Sequence, residues 1–346
     1  MKRGLVTLDP AQVPLAAYGA RIEALRGRLD GTRAEVALVY GDVSRSADIN
    51  FLSNLCLYWN EAILVVPRKG DPALITKLSK RVTTWMRETS VLTDIRSGPR
   101  LTESIGTFLQ DRLGGIPGAL ALVDLPWWPN NLVTQLGKTF PDTAIEDLGP
   151  AVREARLRPS AEELTLLQTG SRLLDDALAL SWAEGSTPDE RTSITVRALR
   201  RAGFQEASVS CGRLGDGSEF TDAIGQYRDV WLRRSRPRAG VAAAVAESAL
   251  QGALASARPG MTEGALARLA AVQVGSHVTR LRCYPHADLE TRGLYRNTQD
   301  ADRRLRDGEV VCLELTLVSG DGVILAADTA RVGEYGASAL SGKDSP

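Results

Sequence analysis

The sequence is poor in the residues that build metal clusters and covalent staples. Two histidines and four cysteines occur in 346 residues. Cys56, Cys211, Cys283 and Cys312 form no CxxC pair and have no regular spacing. That argues against a zinc knuckle or a disulfide framework and fits free thiols in a reducing compartment. Neither sign of charge is in excess, since 42 Lys and Arg balance 42 Asp and Glu. Without a basic stripe, a nucleic-acid or polybasic membrane surface is not expected. The arginine runs Arg233, Arg234, Arg236, Arg238 and Arg303, Arg304, Arg306 are expected as solvated helix ends or loops. No apolar run reaches membrane-spanning length, and Met1 to Pro10 lacks the apolar core of a signal peptide. A cytoplasmic protein is the expectation.

What is present is the composition of a packed core: 43% hydrophobic residues, punctuated by glycine and proline. The length exceeds the usual single domain, so two domains are expected. Residues 1–150 alternate short apolar runs (Val36 to Tyr40, Ala62 to Pro67, Ala73 to Ile75, Ala119 to Asp124) with helical periodicity such as Tyr18 to Leu29, the pattern of an α/β domain. The turn signal Arg68-Lys69-Gly70-Asp71-Pro72 joins two of these strands. Residues 151–346 read as a second domain. Ser160-Ala161-Glu162-Glu163 is a capping box opening a long amphipathic helix. Thr187-Pro188-Asp189-Glu190 starts another helix, and Ala239 to Ala257 is a third. Glu309 to Val318 and Val323 to Val332 form a hairpin around Ser319-Gly320-Asp321-Gly322. In its symmetric register Glu314 faces Ala327, with Cβ atoms about 5 Å apart. The chain after Val332 is expected to fray.

Several segments, in order, resemble the creatinase and Xaa-Pro aminopeptidase family. Asn50-Phe51-Leu52-Ser53-Asn54 followed by Glu61 to Pro67 and Gly70-Asp71-Pro72 is similar to its N-terminal domain. Arg156-Leu157-Arg158-Pro159-Ser160-Ala161-Glu162-Glu163 resembles the segment opening its catalytic domain. Arg258-Pro259-Gly260-Met261-Thr262-Glu263, Leu305 to Val311 and Asp328-Thr329 resemble later family motifs. The resemblance implies an α/β N-terminal domain followed by an α+β pita-bread domain. It also implies a homodimer, with Asn50 to Tyr58 and Trp59 as a candidate lid.

Metal-dependent members hold a dinuclear centre with two Asp, one His and two Glu, donors suited to hard divalent ions and to activating water. On that resemblance Glu314 stands at the first Glu position and Ala327 at the second. His286 takes the histidine position, Val230 stands at one Asp position, and the other falls near Glu219; Asp229 reaches the first only by a one-residue slip that turns it to the opposite face. No metal and no cofactor are therefore expected. The resemblance to metal-free creatinase implies His286 and Glu314 as acid–base residues. Arg233, Tyr227, Glu219, Arg282 and Asp328 are the candidate contacts to a small amide, guanidino or amino-acid-like substrate. A non-catalytic binding protein and a divergent metal-dependent aminopeptidase are the alternatives. Asp328, alternating away from Ala327, is also readable as a support of the sheet. His277 is expected to be structural or solvent-facing.

Overall fold

The computed structural model describes residues 7–57, 59–185, 187–273, 278–290, 302–319 and 322–341. His277, Tyr58 and the hairpin tip Gly320-Asp321 lie outside the described residues. The chain divides into two compact units, one ending at Arg156 and the other starting at Leu157.

The first unit contains helices α1 (Leu15–Leu29), α2 (Ala47–Ser53), α3 (Thr83–Glu88), α4 (Leu101–Leu113), α5 (Asn130–Thr139) and α6 (Ala151–Arg156). Its strands are β1 (Val36–Asp42), β2 (Glu61–Pro67), β3 (Ala73–Thr76), β4 (Asp94–Ser97), β5 (Ala119–Leu122) and β6 (Ala144–Asp147). They form a mixed sheet in the order β4-β3-β2-β1-β5-β6. The central strands are hydrophobic on both faces because helices cover both. Val39, Leu64 and Val66 pack under Ile22, Leu25 and Leu29 of α1, while Leu38, Ile63 and Val65 pack against Ile105, Phe108 and Leu109 of α4. Helix α6, beyond the expected boundary at residue 150, is held in this unit by the ion pairs Arg28–Glu154 and Arg156–Asp48, both 3.1 Å. Asn50 through Leu57 are buried in this core, while Trp59 is exposed.

The second unit contains α7 (Ala161–Glu184), α8 (Pro188–Arg201), β7 (Phe204–Arg213), β8 (Glu219–Tyr227), β9 (Val230–Arg238), α9 (Val241–Ser256), α10 (Glu263–Gln273), β10 (Val278–Pro285), β11 (Val310–Ser319), β12 (Gly322–Gly333) and β13 (Gly336–Ala339). Every strand pairing among its described residues is antiparallel, in the order β10-β11-β12-β9-β8-β7 with β13 on β12. The β13 pairing corrects the expected fraying after Val332: backbone ladder bonds and the burial of Leu340 hold the chain in place. Both capping boxes form, at Ser160–Glu163 and Thr187–Glu190. One face of the sheet is covered by helices. Leu313, Leu315, Leu317 and Ile324 pack on the alanine-rich face of α9, and Gly170 of α7 lies against Tyr227 and Leu232. The opposite face carries Glu314.

Candidate functional site

The β11–β12 register places Glu314 opposite Ala327, as the hairpin argument requires. The row continues across the sheet through Ser235 of β9 and Asp222 of β8, and on the other side through Arg282 of β10. Side chains in one such row share a face, and alternation brings Arg233, two residues from Ser235, to the same face.

There the Arg233 guanidinium lies between two carboxylates. Its Nε donates to Asp222 Oδ1 at 2.9 Å and its Nη2 to Asp222 Oδ2 at 3.2 Å, a bidentate fork. Its Nη1 donates to Glu314 Oε2 and, at 3.2 Å, to the Tyr284 hydroxyl. Tyr284 in turn donates to Glu314 Oε2 at 3.2 Å. Arg282 stands 4.0 Å from Glu314 Oε1 with a side chain 42% exposed, the solvent-facing edge of the cluster. Burial opposes the charge on Arg233, but Asp222, Tyr284 and Glu314 outweigh it and hold its pKa above the usual value. Burial lifts the Asp222 carboxyl, against the pull of Arg233. It also pushes the Tyr284 hydroxyl well up and the neighbouring Cys312 thiol to about 12, so both stay protonated at neutral pH.

Asp222 is the residue that sequence reasoning missed. The family resemblance points to Val230 and to the neighbourhood of Glu219 as the two Asp positions. The β8–β9 positions whose side chains actually meet Glu314 are Asp222 and Arg233, eleven residues apart. The signal was available. With Arg228-Asp229 as the turn, Tyr227 pairs Val230, and counting back by alternation puts Asp222 on the face of Arg233; the β9–β12 pairing then carries that face to Glu314.

Three of the remaining candidates, Glu219, Tyr227 and Asp328, lie on the other face of the sheet. Glu219 is on the opposite face, paired with Arg191 of α8 at 3.3 Å and with Arg213. Tyr227 is on that face too, packed on Phe204 with ring centroids 5.4 Å apart. Asp328 accepts from Arg234 there, and Arg234 also binds Asp175 of α7 at 2.6 Å. Burial lifts the Asp328 carboxyl to about 7, with Arg234 opposing. Asp229 sits in the turn, and Val230 faces α7. His286 opens a short 3-10 helix, His286–Asp288, directly after β10; it is buried and lies against β9 and β11. The solvated reading of the arginine runs holds for Arg238, Arg304 and Arg306, which are exposed, and fails for Arg233 and Arg234, which are buried. Strand alternation sends Arg233 and Arg234 to opposite faces, each into a buried ion pair. Arg303 is likewise paired, with Glu263 and Glu309.

Among the described residues no group of three or more His, Cys, Asp or Glu is placed to hold a metal. The donor set of a dinuclear centre does not fit here. A guanidinium stands between the two carboxylates, and the position across from Glu314 is the methyl of Ala327. The four cysteines are free thiols.

No protein-family model matches the sequence, and no curated protein matches it. Solved structures do. The X-Pro aminopeptidase from Thermotoga maritima is similar with a TM-score of 0.76 at 14% identity, over 93% of this chain and 97% of that one. The prolidase from Pyrococcus horikoshii gives 0.71 at 14% identity, over 94% and 99%. The N-terminal domain of the FACT complex subunit SPT16 from Cicer arietinum gives 0.64 at 12%, over 96% and 97%. At these identities the likeness is one of fold. The chain has the two-domain pita-bread architecture of prolidases and Xaa-Pro aminopeptidases.

Proposed function

We propose that this chain is a metal-independent, creatinase-like enzyme acting on a small amide, guanidino or amino-acid-like substrate by acid–base catalysis. The observation that supports it is the guanidinium of Arg233 fixed between Asp222 and Glu314, where metal chemistry needs carboxylates free to coordinate. A bound divalent ion wants several oxygen donors in a set geometry, and this cluster offers a competing cation instead. His286 is the proton-transfer residue, since neutral imidazole titrates near working pH. Glu314 orients Arg233, and the exposed edge at Arg282 meets the polar end of the substrate. The protein acts as a cytoplasmic homodimer, without nucleic-acid or membrane partners.

A second reading has its own support. Both carboxylates of the cluster are engaged by Arg233, which suits a non-catalytic binding module. One experiment separates the readings. A panel of amides, guanidino compounds and aminoacyl compounds is tested for binding by calorimetry and for product release, with EDTA throughout. Product formed in EDTA and lost in His286→Ala establishes the enzyme. Binding without product establishes the binding module. Product that EDTA abolishes overturns metal independence.

A further inference from the structure

The strongest feature outside any assigned role is the fit between Arg233 and its partners. From it we infer that Asp222, Glu314 and Tyr284 form a guanidinium-binding site that the chain fills with its own Arg233. The inference rests on the metal-independent reading of this face and goes further, because it says what the retained carboxylates hold.

Guanidinium is planar and presents its N–H donors in a fixed fork. Asp222 takes one edge through both carboxylate oxygens at 2.9 and 3.2 Å. Nη1, beyond that edge, meets Glu314 and the Tyr284 hydroxyl. Tyr284 also donates to Glu314 and so holds that carboxylate in register. The side chains of Arg233, Asp222 and Glu314 are 9%, 7% and 11% exposed, so solvent does little to screen the pairing. Two carboxylates facing one guanidinium leave one negative charge over, and Arg282 lies beside Glu314 to balance it. A divalent ion could take both oxygens of Asp222, but it could use neither the hydroxyl hydrogen of Tyr284 nor a site already filled by the Arg233 cation.

The consequence concerns substrate class. A guanidino substrate finds its carboxylate partners already taken, so the proposed substrate narrows to the amide and amino-acid-like classes, met through a carboxylate or amide oxygen at Arg282.

The test removes the tethered group and offers free ones. In Arg233→Ala, millimolar methylguanidinium should raise the melting temperature by about 3 °C or more, with no rise in wild type, and Mn²⁺ should do nothing to either. If methylguanidinium fails to stabilise Arg233→Ala, the inference is overturned. If Mn²⁺ stabilises the variant instead, the carboxylates are metal donors; the inference falls, while metal independence of wild type stands. If wild type itself binds Mn²⁺ stoichiometrically, both fall. Should Arg233→Ala not fold, the comparison moves to Arg233→Met with Asp222→Asn and Glu314→Gln. That triple variant must fold and melt higher than Arg233→Met alone if the carboxylates exist to hold the guanidinium; an equal or lower melt overturns it.

Discussion

At the scale of single residues, Glu314 carries the contrast between what a side chain is and what it is free to do. A carboxylate inside an apolar strand must be paired, because unpaired burial is expensive, and here the partner is Arg233. Glu314→Gln should therefore act first on stability, lowering it by about 1–3 kcal/mol, the penalty for weakening a buried charged hydrogen bond while Arg233 keeps Asp222. Chemical denaturation reads that loss. His286→Ala should lower turnover by about 10²–10⁴-fold, measured where the folded fraction is complete because truncating a buried side chain also costs stability; a full rate in this variant would remove His286 from the mechanism. Asp328 supplies a pH signature. Its folded pKa is about 7, against about 3.9 when unfolded, so the folded chain holds that proton more tightly. The contribution is complete below about pH 4 and is lost as pH rises through 7, up to about 4 kcal/mol in all. Asp328→Asn should flatten the fall in melting temperature between pH 5 and pH 8. An unchanged slope would mean that Asp328 does not titrate there.

At the scale of elements, local signals and tertiary contacts can be weighed separately. The capping box of α7 satisfies the Glu163 N–H through Ser160 Oγ at 3.3 Å and the Ser160 N–H through Glu163 Oε2 at 2.7 Å. Ser160→Ala should cost about 1 kcal/mol, a modest shift in denaturation midpoint. Gly240, just before α9, is a stricter case. Its φ is +65°, and a Cβ there would stand 2.6 Å from the Ser218 backbone nitrogen. Backbone cannot move aside as a side-chain tip can, so Gly240→Ala should destabilise by about 1–3 kcal/mol. A neutral result would show that the turn into α9 relaxes freely. The hairpin was legible from the sequence to the single pairing, since a tight turn between two β-prone runs fixes register. The β8–β9 hairpin is equally regular, and its turn at Arg228-Asp229 places Asp222 and Arg233 on one face.

At the scale of the whole molecule, light scattering at micromolar concentration should return twice the mass of one chain, in keeping with the homodimer proposed above; a single-chain mass would remove that part. The helices, strands and their division between two domains could be read from sequence because they rest on repeating, local physics: hydrophobic period, capping boxes, Gly and Pro punctuation; the pita-bread plan was implied only by the family resemblance of the motifs in their order. The placement of Ala327 opposite Glu314 followed from the same local rules, while its reading as a missing ligand is what the family resemblance implies. Which arginine is buried could not follow. In Arg233-Arg234-Ser235-Arg236 every residue type favours water, and only the neighbouring strands decide otherwise, by placing Asp222 and Glu314 on one face and Asp328 and Asp175 on the other. A charge run reads as solvated until its counter-charges are known, and those lie 11, 81, 94 and 59 residues away along the chain. The sequence by itself determined the elements and their faces; the long-range pairing of the sheet decided that a guanidinium sits between the two carboxylates, because ion pairing depends on distance in space and not on separation in sequence.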